Sequence, residues 1–348
     1  MGGVIDLRSD TMTRPTAAMR AAMAAAEVGD EQLREDPTVN ELQRRAAELV
    51  GQEAALFLPT ATMANQIALR VLGHRGGEVV AEERTHVLVY EAGGAAANAG
   101  LVTRGLPGVA GRLTVAQLEE AVAAADPPLQ PVELVVLEQT HRSSGGRVWP
   151  LEELEAVARG AHELGLRVHL DGARLLNASV AAAVPAAAYG GVADTVTLCF
   201  SKGLGCPLGA VLAGAADLIE RAWVEKFRFG GAMRQAGIVA AAALYALDHH
   251  VERLAEDHAR ARRLAEGLAE AGLPVDPEAT ETNFIAIRLE ELGLQEGEAL
   301  RRLEAAGVLL TGLRPGWLRA VTCLDVEDEH VERAVELVPQ ALGALARA

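Results

Sequence analysis

Lysine is almost absent from this chain of 348 residues: of 32 basic residues only Lys202 and Lys226 are lysines, and the other thirty are arginines. Arginine preference excludes reading those two as ordinary surface cations without a further look, because an ε-amine can lose its proton and condense with an aldehyde, whereas a guanidinium stays protonated. Cysteine is also scarce. Cys199, Cys206 and Cys323 lack metal-ligand spacing, and an odd count in a long chain fits reduced cytoplasm better than a disulfide framework. Cys199 and Cys206 read as small core residues. Positive charge is lacking overall, with 48 acidic residues and a formal net charge of −16, which argues against nucleic acid or an anionic membrane as partner. No charge-free stretch reaches membrane-spanning length, and Met1 to Asp6 lacks a basic segment followed by an apolar one. A soluble, cytoplasmic protein without a bound metal is expected.

Apolar residues make up half of the chain, enough for one large core and a smaller one. Helical patterns such as Pro15 to Ala26 and Val39 to Val50 alternate with short runs at Ala55 to Leu58, Glu133 to Leu137, Arg167 to Leu170 and Thr195 to Phe200. Runs that are apolar at nearly every position suit strands buried on both faces. The spacing therefore predicts an α/β fold with a mostly parallel sheet flanked by helices. A helical pattern from Met233 to Leu247 and a charged helix from His249 to Ala271 lead to a smaller α/β unit, with strands at Asn283 to Leu289, Val308 to Thr311 and Trp317 to Thr322. The expected divisions are residues 1–14 as a segment contributing to the active site, 15–249 as the large domain and 250–348 as the small one.

Three features fall at the C-terminal ends of predicted strands, where open α/β sheets place ligands. Thr60-Ala61-Thr62 forms a strand-to-helix turn whose free amides and hydroxyls suit a phosphate, although a threonine there is also an ordinary helix cap. Asp171, in His169-Leu170-Asp171-Gly172-Ala173-Arg174, puts a carboxylate at a strand end, where helix capping is the plainer alternative. Lys202, in Phe200-Ser201-Lys202-Gly203-Leu204-Gly205, follows an apolar run, an unlikely place for an idle charge. Phosphate cup, carboxylate and amine together match pyridoxal 5'-phosphate: amides for its phosphate, a carboxylate for its pyridine nitrogen, a lysine for its aldehyde.

The ordered segments Asp6 to Thr11, Glu35 to Thr38, Thr60 to Thr62, Thr85-His86-Val87, Glu138 to His141, His169 to Arg174, Ser201 to Leu204 and Gly230 to Gly237 resemble the L-threonine aldolases, within the aspartate-aminotransferase-like (fold type I) pyridoxal phosphate enzymes. The resemblance spans nearly the whole chain. It implies retro-aldol cleavage of threonine or allo-threonine to glycine and acetaldehyde, with Lys202 holding the cofactor as a Schiff base. By it, His86 stacks on the cofactor ring, Asp171 meets the pyridine nitrogen, and Ser9, Arg174 and Arg319 hold the substrate carboxylate, Arg174 also bordering the cofactor. His141 lies near the β-hydroxyl, and either His86 or His141, directly or through water, is the base. Lys226 and Arg234 reach a phosphate, in a homotetramer whose sites form between subunits. Without the family match Arg319 reads as a surface charge, His141 as a loop histidine and Lys226 as a solvated helix residue.

Departures from the family pattern are Ala61 where glycine is usual, Leu33-Arg34 where Tyr-Gly is usual, and Cys323 where histidine is usual. The last two bear on substrate preference. β-Elimination, racemisation or transamination on the same cofactor remains the nearest alternative; a nucleotide-binding loop at Gly203 to Gly209 lacks the glycine spacing it needs. Lys202→Arg is expected to destroy activity and Lys226→Arg to preserve it.

Overall fold

The computed structural model describes residues 3–125 and 130–343. A two-residue strand, β1 (Ile5–Asp6), comes first. Seven strands of the main sheet follow: β2 (Ala54–Leu58), β3 (Glu78–Glu82), β4 (Val102–Leu106), β5 (Val132–Glu138), β6 (Arg167–Gly172), β7 (Thr195–Cys199) and β8 (Ala210–Gly214). Their order is β2-β8-β7-β6-β5-β3-β4, and every pairing is parallel except those of β8, which opposes both neighbours. The apolar runs work as their composition requires. Phe57, Val135, Val168 and Val211 enter the core on one face, and Leu56, Leu58, Val136 and Leu212 the core on the other.

The sequence reading did not single out β3, β4 or β8. β3 begins and ends in buried glutamates, Glu78 and Glu82, and β4 is an edge strand with exposed residues, so neither looks like an apolar run. Tertiary pairing explains β3: Arg104 of β4 neutralises Glu78.

The smaller unit holds β9 (Phe284–Arg288), β10 (Val308–Leu309), β11 (Thr311–Arg314) and β12 (Trp317–Val321). β11, β12 and β9 form an antiparallel sheet, so the expected single strand at Val308 to Thr311 is broken at Leu310. The N-terminal segment belongs here: β1 pairs parallel with β10, and Ile5 and Leu7 are buried with Leu264, Leu268, Ile285 and Val331. Anchored this way, the chain carries Ser9 and Asp10 to the main sheet. The two long helices start later than the spacing suggests, at Gly237–His249 and Leu254–Glu270. The C-terminal limit expected at 348 lies outside the described residues.

Because β2, β3, β5, β6 and β7 run parallel, their C-terminal ends share one edge of the sheet. The segments that follow them bring Thr60, His86, His141, Arg174 and Lys202 to that edge.

Candidate active site

Asp171 lies near the end of β6, next to its final Gly172, and is buried, accepting from Asn65 Nδ2 at 2.8 Å and from the Ala173 amide at 3.1 Å. Burial alone would raise its pKa, but the positive charges of His86 and Lys202, with the Asn65 bond, hold the carboxyl below its ordinary value. His169, on the same face of β6, is fully buried between Thr195 Oγ1 at 2.8 Å and Asn65 Oδ1 at 3.1 Å. Burial pushes it down to about 4, so it is neutral at physiological pH. With Asn65 Nδ2 donating to Asp171, its Oδ1 must accept from His169 Nε2, and the neutral ring then accepts from Thr195.

His86 opens a short helix, His86–Val89, whose first amide donates to Glu138 Oε2 at 2.7 Å. Its Nδ1 lies 2.9 Å from Glu91 Oε1 and its ring 5.5 Å from that of Tyr90. Burial lowers its pKa, but Glu91, Asp171 and Glu138 together raise it above the ordinary histidine value. Lys202 follows β7 and is partly exposed, and its ammonium makes no hydrogen bond among the described residues. Its charge bears on both Asp10 and Asp171.

Thr60 caps the helix Ala61–Leu72, its Oγ1 accepting from the Met63 amide at 3.1 Å. The hydroxyl proton of Thr60, the Thr62 hydroxyl and the first-turn amides of Ala61 and Thr62 remain for an anion. The donor set fits pyridoxal phosphate: a helix N-terminus for phosphate, a buried ionised Asp171 for a protonated pyridine nitrogen, and an amine without a partner.

Arg174 gives Nε and one Nη2 proton to Asp10, at 2.7 and 2.6 Å, which fixes the guanidinium and leaves its Nη1–Nη2 edge for a ligand. Ser9 is occupied locally, accepting from the Thr11 amide and hydroxyl at 3.2 and 2.9 Å. Arg319, far from being a surface charge, is 6% exposed, and its Nη1 is buried without a partner. Burial, then Arg142 and Arg174, press its guanidinium down to about 10. Arg142 Nη1 is likewise buried and unpartnered, its guanidinium 4.0 Å from the Tyr90 ring. Arg174 and Arg319 both flank Phe284, at 4.8 and 5.4 Å, and Phe284 borders a cleft of about 690 Å³ between the two units.

Other expectations are corrected. His141 is fully buried, with Nδ1 2.7 Å from Ser144 Oγ and Nε2 3.0 Å from Glu82 Oε2, off the line of a good hydrogen bond. Gly111 covers its ring so closely that a Cβ there would overlap the imidazole. His141 therefore presents no atom to a ligand in this conformation. Lys226 is no phosphate contact within its own chain: it is fully buried, ion-paired with Glu31, and donates to the Phe57 carbonyl at 2.6 Å. Arg234 is exposed and paired with Asp30 at 2.8 Å. Leu33 is exposed, Arg34 turns to Glu220, and Cys323 is buried in the small core.

The Lys226 burial adds a stability cost to the Lys226→Arg substitution expected to preserve activity. Arginine is larger than the space that lysine fills, so Lys226→Arg should lose about 1–3 kcal/mol by overpacking, and Lys226→Ala, which strands Glu31, about 3–5 kcal/mol. Denaturant unfolding checks both; an unshifted midpoint for Lys226→Ala would show that the pair contributes nothing.

Sequence reasoning missed Asn65, Glu91 and Glu31 and gave Asp10 and Glu138 no role. Asp10 and Glu138 lay inside motifs already singled out. Glu91, in a bend between Tyr90 and Gly93, carried no local signal because its partners come from other segments.

The family model described as beta-eliminating lyase matches residues 6–291. The chain is 42% identical over 329 residues to the low specificity L-threonine aldolase of Escherichia coli (strain K12), covering 94% of this chain and 96% of that protein. It is 40% identical over 346 residues to the low-specificity L-threonine aldolase 1 of Arabidopsis thaliana, covering 97% and 96%. In fold it matches the Leishmania major threonine aldolase with a TM-score of 0.84 at 21% identity, covering 97% of this chain and 99% of that one. Sphingomonas wittichii serine palmitoyltransferase shares the fold at a TM-score of 0.76 and 21% identity, covering 99% and 88%. The chain belongs to the beta-eliminating lyase family, among its low-specificity L-threonine aldolases.

Proposed function

We propose that this protein is a pyridoxal 5'-phosphate-dependent aldehyde-lyase that cleaves L-threonine or L-allo-threonine, and related β-hydroxy-α-amino acids, to glycine and an aldehyde. The observation that carries the reading is that the main sheet's C-terminal edge holds an amine without a partner among the described residues (Lys202) and a buried ionised carboxylate (Asp171), while β12 of the smaller unit brings a buried guanidinium whose Nη1 is unpartnered (Arg319). When bound, the cofactor supplies an electron-accepting ring that stabilises negative charge at the substrate α-carbon. Lys202 would hold it through its aldehyde, Asp171 would keep its ring nitrogen protonated, His86 would lie against its ring, and the Thr60 to Thr62 turn would take its phosphate.

Arg319, with the free Nη1–Nη2 edge of Arg174, pins the substrate carboxylate, and this fixes which α-carbon bond is aligned for cleavage. Asp10 orients Arg174, and Ser9 supports that turn. Exposed Leu33, next to Arg34, and exposed Val224 and Phe227, on the helix whose Glu220 pairs with Arg34, support a homotetramer in which Arg234 serves a neighbouring site. The three cysteines are free, which suits the cytoplasm.

Purified protein should be yellow and release acetaldehyde and glycine from threonine in equal amounts. Colourless protein that gains no near-visible band on adding pyridoxal phosphate would remove the cofactor, and keto acid without glycine would favour β-elimination or transamination.

A further inference from the structure

Glu91 belongs to no motif, yet its side chain is wholly buried beneath the site. Oε1 receives Asn65 Nδ2 at 2.8 Å and lies 2.9 Å from His86 Nδ1; Oε2 receives Gln66 Nε2 at 2.6 Å. Asn65 ties this carboxylate to Asp171, since the same Nδ2 donates to both. One nitrogen of His86 and one oxygen each of Glu91 and Asp171 fall within 4.8 Å of one another.

The donor inventory settles the ring. A carboxylate only accepts, so the proton between His86 and Glu91 sits on Nδ1. Nε2 has no hydrogen-bond partner among the described residues, and the ring is partly exposed on that side of the pair. This is the arrangement in which a buried carboxylate orients a working imidazole. The other histidine considered as base, His141, has both nitrogens turned to protein groups and no exposed surface.

We infer that Glu91 is a positioning residue that holds His86 as its Nδ1–H tautomer and so leaves Nε2 bare to take the proton of a substrate hydroxyl. What the bare nitrogen does rests on the aldol reading above: the O–H proton passes to Nε2, its electron pair becomes the second bond of the aldehyde carbonyl, and the Cα–Cβ pair is left on the glycine half. The groups facing His86 are Glu91 in its own segment, Glu138 from β5, Asp171 from β6, and Lys202, after β7, acting through Asp171. Removing the Glu91 charge takes away one of three carboxylates that favour the protonated ring. The acid limb of kcat/KM therefore moves to lower pH while the base weakens.

The test uses holoenzyme labelled with 15N-histidine, in which long-range NMR correlations distinguish the two tautomers, alongside pH–rate profiles. Wild type, at a pH above the ring pKa, should show His86 protonated at Nδ1 with Nε2 bare. Glu91→Ala should populate the Nε2–H form and lower kcat by about 10²-fold, the lower end of what general-base help is worth, with KM within a few-fold. Glu91→Gln, nearly isosteric, should shift the acid limb to lower pH even if the alanine variant folds poorly. An Nε2–H ring in wild type, or an unmoved tautomer and acid limb in both variants, overturns the inference. If wild type releases no aldehyde the functional reading fails instead, and the NMR still decides whether Glu91 sets the ring.

Discussion

Lys202→Arg is expected to lose the near-visible absorbance of the cofactor-loaded protein and to lower aldehyde release by roughly 10³-fold or more, the scale seen when a covalent nucleophile is removed and only binding contributions remain. The charge is conserved, so electrostatics cannot account for the loss. Stability should not change: Lys202 is partly exposed and without a hydrogen-bond partner, and substitutions at such positions usually stay within about 0.5 kcal/mol. Absorbance, unfolding midpoint and acetaldehyde release on one preparation separate the outcomes. A yellow, active Lys202→Arg protein would show that no amine at this position is required. A colourless protein with a lowered midpoint would point to a structural role.

The two buried arginines of the site should part company. Arg319→Ala removes a buried cation whose Nη1 has no partner and whose Nε bonds only the Thr311 hydroxyl, so it should cost little stability while lowering kcat/KM for threonine by roughly 10- to 100-fold, the value of one charged hydrogen bond of about 1.5–3 kcal/mol. Arg174→Ala strips the partner from a fully buried carboxylate and should cost about 3–5 kcal/mol. This loss depends on pH. Burial alone would raise the Asp10 pKa, but Arg174, helped by Lys202 and Asn283, holds it well below the ordinary carboxylate range. A depressed folded-state pKa contributes stability that is present above the unfolded value of 3.8 and is lost as pH falls through the folded one. The gap between wild type and Arg174→Ala should accordingly narrow as the medium is acidified below that value. Equal destabilisation by the two substitutions, or a gap independent of pH, would show that Asp10 does not depend on Arg174.

The contrast between these arginines also marks where sequence reasoning stopped. Both were expected to hold substrate, since a guanidinium fork suits a carboxylate whichever molecule supplies it. Asp10 stands 164 positions before Arg174 in the chain. Only the pairing of β1 with β10, which draws the N-terminus onto the small unit, brings that buried partner into reach. Lys226 was misjudged for the same reason: a lysine in a charged helix looks solvated until a glutamate 195 residues away closes over it. His141 looked available because nothing in its neighbours announces that Gly111 lies on its ring.

Local pattern was enough for what depends on local chemistry. Doubly apolar runs demand a sheet covered on both sides, and strand ends followed by Thr60, Asp171 and Lys202 place amide donors, carboxylate and amine on one edge, because parallel strands share their C-terminal side. The scarcity of lysine made Lys202 stand out before any fold was known. Tertiary structure decided which charges are free. Arg319 Nη1 and the Lys202 ammonium are left without partners among the described residues, while Arg174 and Lys226 are ion-paired with Asp10 and Glu31 and the rings of His86 and His141 lie against Glu91 and Glu82. Coulombic and hydrogen-bond partners act over a few ångströms of space whatever their distance along the chain, so a residue's chemical type is written in its sequence and its availability only in the packing.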